Sequence, residues 1–186
     1  TSRLDARGFR VHPIGPPSAE EAERPFLWRF WDKLPPRGKL AIFDRAWYGR
    51  VLVERVDKLV KKKTWRAAYR AINDFERQLV DDGYVLVKLW LHISKKEQAR
   101  RIRKCLGDEN LCWKISKADL RQHRKYEEWT DAVEDLLLET GTTWAPWTIV
   151  EAEDLRCGEL EIVETGTSAI EEGVLRREAA RATAPA

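Results

Sequence analysis

Three short apolar runs punctuate a chain that otherwise reads as helix: Leu40-Ala-Ile-Phe43, Tyr84–Ile93 and Trp147-Thr-Ile-Val150. Runs of this length without polar alternation are the pattern of parallel strands buried on both faces. The stretches between them carry helical periods. Thr64 is placed as an N-cap, followed by Trp65, Ala68, Ile72, Phe75 and Leu79 on one face and Gly83 as the stop. Ser18…Glu21 and Ser94…Glu97 read as capping boxes, in which each residue satisfies a free amide of the other. Ser116-Lys-Ala-Asp119 caps a helix expected to run to about Glu139, with Leu120, Trp129, Val133 and Leu137 in helical period. Phe9–Ile14 is a further short strand, closed by Gly15-Pro16-Pro17, and Phe26–Trp31 is an aromatic helix restarted at Pro25. Ile162–Arg177 is a weaker helix, and Ala179–Ala186 a frayed tail. Strand–helix alternation of this kind predicts an α/β sandwich with a mainly parallel sheet.

Composition narrows the class. The 186 residues suffice for one domain or slightly more. No stretch approaches the roughly 20 apolar residues of a spanning helix, and the N-terminus has no apolar leader, so no membrane role is expected. Nine Trp, four Tyr and five Phe are too many for a wholly disordered chain. Cys105, Cys112 and Cys157 form neither a disulfide framework nor a metal spacing, so a reduced, cytoplasmic protein is expected. With no methionine anywhere, Thr1 is not expected to be the native start, and the chain reads as part of something longer.

The net charge of +3 conceals an asymmetry. Residues 95–125 hold 11 Lys/Arg against 4 Asp/Glu, whereas from Tyr126 onward the balance is 4 against 15. A short basic segment in a near-neutral chain points to a local polyanion site, and the plainer alternative is a solvated helix face. Arg100 and Arg103 share one helix face, Arg101 flanks them, and Lys114 follows a loop; such cations on a helix pair would form a lid over phosphates.

In open parallel sheets ligands bind beyond the C-terminal strand ends. Three such ends are available, at Asp44-Arg45, His92–Ser94 and Glu151–Asp154. An apolar strand ending in Asp is the form of a Walker B element, whose carboxylate holds a metal against phosphates; such an Asp can equally cap a helix. Arg45, Arg50, Glu54 and Arg55 follow closely, either as a charged site or as a salt-bridged surface with Glu54 paired to Lys58. His12, His92 and His123 share no metal spacing and read as structural. Most Trp read as core, with Trp47 and Trp113 also open to bordering a ligand.

The string Phe43-Asp-Arg-Ala-Trp-Tyr-Gly-Arg-Val-Leu-Val-Glu-Arg-Val56 resembles the polyphosphate kinase 2 family, and its second half is most similar to the polyphosphate:AMP phosphotransferase branch. The likeness continues through Phe26–Trp31, Ile72-Asn-Asp-Phe-Glu76, Leu89–Ser94, Trp113-Lys-Ile-Ser116 and Ala145–Val150, and covers about Leu4 to Asp154. The resemblance implies a P-loop kinase-like three-layer sandwich with a helical lid at about 95–125. It implies phosphoryl transfer between inorganic polyphosphate and AMP or ADP, with Mg²⁺. Asp44 would be the metal-site and catalytic carboxylate and Arg45 a phosphate contact. Arg50 and Glu54 would line the nucleotide side, and Arg100, Arg101, Arg103 and Lys114 the lid or polyphosphate channel. A homo-oligomer, dimer or tetramer, is expected. The domain expected over 1–154 is followed by a divergent C-terminal segment, 155–186, where Gly166 and Thr167 interrupt the helical pattern. The sequence contains no G-x-x-x-x-G-K, so the chain alone is expected to be inactive or severely impaired. The alternatives are a non-catalytic polyphosphate-binding or regulatory domain of a tandem enzyme and, with no reader motif to support it, a nucleic-acid binder.

Overall fold

The computed structural model describes Asp5 and residues 7–183, with side chains to Ala179. It divides into two compact units, one ending at Ala68 and the other beginning at Tyr69.

In the first unit, β1 (Phe9–Pro13) and β2 (Leu40–Asp44) pair in parallel, with Pro13 opposite Asp44. Parallel neighbours need a crossover. Here it contains two short helices, α1 (Ala19–Ala22) and α2 (Trp28–Trp31). The Ser18–Glu21 capping box forms in full, and Glu21 also holds Arg29 at 3.3 Å and Lys33 at 3.4 Å. Beyond β2 the chain makes a 3₁₀ turn, Trp47–Arg50, and a one-turn helix α3 (Val53–Val56). The core is aromatic. Phe43 stacks on His12 at 5.2 Å and meets the edge of Trp47 at 5.7 Å, while Phe30 lies 5.7 Å from Trp47. Val51, Leu52 and Val56 are buried as well.

Helix α4 (Lys62–Asp81) starts two residues before the expected Thr64 cap, and two residues beyond its end Gly83 takes φ 85°, a conformation that favours a residue without Cβ. In the second unit its Ile72, Phe75 and Leu79 are buried, as are Ala132, Val133 and Leu136 of α7 (Tyr126–Thr140). Asn73 donates to the Glu139 carbonyl at 2.8 Å. Strands β3 (Lys88–His92) and β4 (Trp147–Glu151) pair in parallel, with His92 opposite Glu151. Between them lie α5 (Lys95–Leu106), a 3₁₀ turn at Cys112–Lys114, α6 (Lys117–Arg124) and α7. α8 (Leu155–Thr183) follows β4.

Parallel pairing is present as expected, in two separate pairs among the described residues. The strands are shorter than the apolar runs, since β3 begins only at Lys88 and residues 84–87 precede it without strand structure. They are also covered less evenly: Val150 is fully buried whereas Ile149 and Leu91 are half exposed. The long helix expected from Ser116 breaks at Lys125 into α6 and α7. α8, by contrast, runs through Gly166 and Thr167 without interruption and includes Ala179–Thr183; residues 184–186 lie outside the described ones. It approaches the 84–87 segment so closely that a Cβ on Gly173 would collide with Val85 Cγ2.

β3 carries a feature the apolar pattern hid. Lys88, with 1% of its side chain exposed, donates to Glu76 Oε2 at 2.8 Å and to the Thr140 carbonyl at 2.6 Å. Its ammonium also lies 5.1 Å from the Trp147 ring centroid, and Trp147 donates to Thr140 Oγ1 at 2.9 Å. Burial pushes the Lys88 pKa down, opposed by the hydrogen bond and charge of Glu76.

Candidate functional site

The C-terminal edge of the first strand pair is an open cleft of about 320 Å³ lined by Pro13, Ile14, Gly15, Asp44 and Arg45. β1 brings backbone to it and β2 brings charge. The Ile14 amide donates to the Asp44 carbonyl at 3.0 Å, which carries the register one step past the strands. A Cβ at Gly15 would meet nothing within 4 Å, so the cleft is open above that turn. Asp44 ends the strand exposed, and among the described residues no side-chain partner holds its carboxylate. Arg45 has φ 64°, a left-handed conformation that costs a residue with a Cβ about 1–2 kcal/mol. That turn takes Arg45 out of the strand direction immediately after Asp44 and leaves both side chains at the rim of the cleft.

Arg50 and Glu54 lie on the following turn and helix and hold each other at 2.8 Å, displacing the alternative pairing of Glu54 with Lys58. The Arg50 guanidinium covers the Phe26 ring at 4.8 Å, and its Nε is buried without a hydrogen-bond partner. Trp47 does not border the cleft; at 4% exposure it belongs to the aromatic core beneath β2. His12 is likewise structural, stacked on Phe43.

The second strand pair ends in a denser charged constellation. Ser94 caps α5 by accepting the Glu97 amide at 3.2 Å, but the reciprocal half of the expected capping box is absent. The Ser94 amide donates instead to Glu153 Oε1 at 3.2 Å, beyond β4. Glu97 is thereby released to accept Arg100 Nε and Nη2 at 2.6 and 2.7 Å and Arg101 Nε at 2.7 Å. These bonds, Arg100 first and Arg101 second, hold the Glu97 carboxyl at about 2, far below its ordinary 4.5. Arg101 Nη2 also donates to the carbonyls of Ala152 and Glu153. Arg103 is exposed on α5, and Lys114 is exposed with its ammonium 5.6 Å over Trp113, itself 75% exposed.

Sequence reasoning did not find the Glu97–Arg101–Glu153 connection or the cleft-lining role of Pro13 to Gly15. The signal for the first was present: a glutamate three and four residues before two arginines competes for its own capping role. The second had no side-chain chemistry to announce it.

Among the described residues no three His, Cys, Asp or Glu side chains cluster as a metal cage. The donor set at Asp44 is a single free carboxylate beside an open cleft, which fits a divalent ion that keeps its waters and brings phosphate oxygens with it. It does not fit a protein-enclosed ion.

Charged groups displayed at the C-terminal ends of parallel strands, with helices between the paired strands, define an α/β protein of parallel strands. The model of the polyphosphate kinase 2 (PPK2) family matches residues 1–178, and the chain belongs to that family. It is 42% identical over 173 residues to a polyphosphate:AMP phosphotransferase of Pseudomonas syringae pv. tomato, covering 93% of this chain and 35% of the relative. It is 40% identical over 149 residues to an AMP/ADP-polyphosphate phosphotransferase of Meiothermus ruber, covering 80% of this chain and 56% of the relative. The crystal structure of polyphosphate kinase 2 from Arthrobacter aurescens TC1 superposes with a TM-score of 0.87 at 32% identity, over 90% of this chain and 59% of that one. The chain thus spans about a third of the first relative's length and somewhat over half of the other two. No helix among the described residues is long and apolar enough to cross a membrane.

Proposed function

We propose that the chain forms part of a phosphotransferase that moves a phosphoryl group between inorganic polyphosphate and a nucleoside mono- or diphosphate, AMP or ADP. The observation that carries this reading is the Asp44–Arg45 pair, set at the rim of an open cleft by a left-handed turn at a strand end. Phosphoryl transfer asks a protein chiefly for positioned positive charge and a metal. Asp44 would hold Mg²⁺, which when bound neutralises phosphate charge. Arg45 would bind the transferring phosphoryl oxygens from the other side of the cleft. Arg50, steadied by Glu54 and the Phe26 ring, would contact the nucleotide phosphate. Arg100, Arg103 and Lys114 would contact polyphosphate along the lid, with Arg101 at the root of that lid. The nucleotide substrates suit a cytoplasmic setting, and exposed Trp31 and Trp113 suit association of chains into a homo-oligomer.

A second reading is a non-catalytic polyphosphate-binding or regulatory domain. It is favoured by the exposed cations of α5, Arg100 and Arg103, which can hold a polyanion without a transfer site. One experiment separates the two. The whole protein that contains this chain is titrated with inorganic polyphosphate with and without Mg²⁺, then incubated with AMP while ADP is followed. Binding that Mg²⁺ strengthens, lost in Asp44→Asn, together with ADP formation supports the transferase. Mg²⁺-independent binding without ADP supports the second reading, and no binding refutes both.

A further inference from the structure

The cluster at the C-terminal end of β3 and β4 does more than carry positive charge. Ser94, Glu97, Arg101 and Glu153 form a closed ring of hydrogen bonds: Glu97 amide to Ser94 Oγ, Arg101 Nε to Glu97 Oε1, Arg101 Nη2 to the Glu153 carbonyl, and Ser94 amide to Glu153 Oε1. The ring joins the first turn of α5 to the connection between β4 and α8. Both oxygens of Glu97 are in use, and its side chain is only 10% exposed.

The two arginines stand differently toward this carboxylate. Arg101 is 29% exposed and spends Nε and Nη2 on three protein acceptors, two of them backbone carbonyls. Arg100 is 62% exposed and meets Glu97 edge-on through Nε and Nη2 in a two-pronged pair, which fixes the plane of the guanidinium. Among the described residues its Nη1 makes no hydrogen bond, so the outer edge of the fork remains available in a set orientation.

We propose that Glu97 is a positioning residue for polyanion binding: it fastens Arg101 as the anchor of α5 and aims the free edge of Arg100 at a phosphate. Arg101 then holds the lid and Arg100 meets the substrate. The proposal rests on the polyphosphate reading above and divides labour between two adjacent arginines that the basic run alone does not distinguish.

Salt dependence tests this directly, because each cation that neutralises a phosphate adds to the slope of log K against log salt, whereas a positioning group does not. The chain is titrated with inorganic polyphosphate at several NaCl concentrations. Arg100→Gln is expected to weaken binding and make the slope shallower by about 0.7–0.9. Arg101→Gln is expected to weaken binding about ten-fold, roughly 1.4 kcal/mol, with the slope unchanged, and Glu97→Gln, which also releases the aim of Arg100, to weaken it at least as much with a slope no steeper than that of the unmodified chain. Glu97→Gln is the sharpest variant, since removing a negative charge from a polyanion site would by Coulomb attraction alone tighten binding. Equal or tighter binding by Glu97→Gln overturns the proposal, as does a slope in Arg101→Gln that falls as it does in Arg100→Gln. Amide hydrogen exchange in residues 94–101, without polyphosphate, reads the anchor separately: Glu97→Gln is expected to accelerate it, and unchanged protection overturns the anchor. If the unmodified chain binds no polyphosphate, the transferase reading and the role of Arg100 fall together, and exchange still decides the anchor.

Discussion

Replacing Lys88 by Met removes the cation from a site where its carboxylate partner stays behind. The Glu76 side chain is fully buried, and Lys88 Nζ reaches it at 2.8 Å. Returning such a carboxylate to water is blocked by Ile72, Phe75 and Leu79 of its own helix, all buried. Breaking a buried pair from one side costs about 3–5 kcal/mol. Against a total stability of about 5–15 kcal/mol this is a large share, and for a chain of this size it lowers Tm by roughly 6–20 °C. The Thr140 carbonyl keeps a second donor, the Thr142 amide at 3.1 Å, so the loss is dominated by the charge and not by an orphaned acceptor. Urea unfolding followed by far-UV circular dichroism measures it. The double variant Lys88→Met, Glu76→Leu removes the buried carboxylate as well and is expected to recover most of the loss, since well-packed apolar groups replace buried pairs at little cost. The pH dependence adds a sign. With the folded pKa of Lys88 below 10.5, the unfolded chain binds more protons between the two values, so this group raises stability as pH climbs toward 10.5. Lys88→Met lacks that rise. A loss below about 1 kcal/mol in the single variant, or a double variant as unstable as the two singles combined, would refute the argument.

Other consequences are quickly stated. Glu97 lends stability above pH 4.5 that disappears as pH falls through about 2, so acid titration of the unfolding midpoint should show a slope in that window that Glu97→Gln lacks. Gly166→Ala meets open space in α8 and should stabilise by about 0.5–1 kcal/mol in thermal melts, while Gly173→Ala must push Val85 aside and should forfeit that gain. Arg45→Gly relaxes the left-handed turn and should raise stability by about 1 kcal/mol while weakening polyphosphate binding in the titration described above.

Much of this was readable from residues. Apolar runs located all three later strands, and the alternation with helices gave parallel pairing because parallel strands demand crossovers. Asp44 could be placed at a strand end because the apolar run stops there. The rest depended on competition that a linear pattern does not display. Ser94…Glu97 has the form of a capping box, yet Arg100 and Arg101 claim the glutamate and Glu153, 59 residues away, takes its place at the Ser94 amide. Lys88 sits inside an apolar run, and only the meeting of α4 with β3 shows that Glu76 receives it. Lys125 breaks a helix whose apolar period continues across it, so periodicity alone could not reveal the division.

The fastening of α5 has a mechanical side. Among the described residues its polar ties to neighbouring elements fall in the first two turns: Ser94 and Arg101 to the β4–α8 connection, Lys95 to Glu127 at 2.9 Å and Gln98 to His123 at 2.7 Å. Arg103 and Lys104 beyond them are exposed and make no such tie. Twelve residues at about 1.5 Å each give an arm near 18 Å long, pinned at one end. A tilt of about 10° at the pinned end therefore sweeps the other through about 3 Å, the length of one hydrogen bond. A ring of four side chains at the base thus sets the reach of every cation farther along the helix.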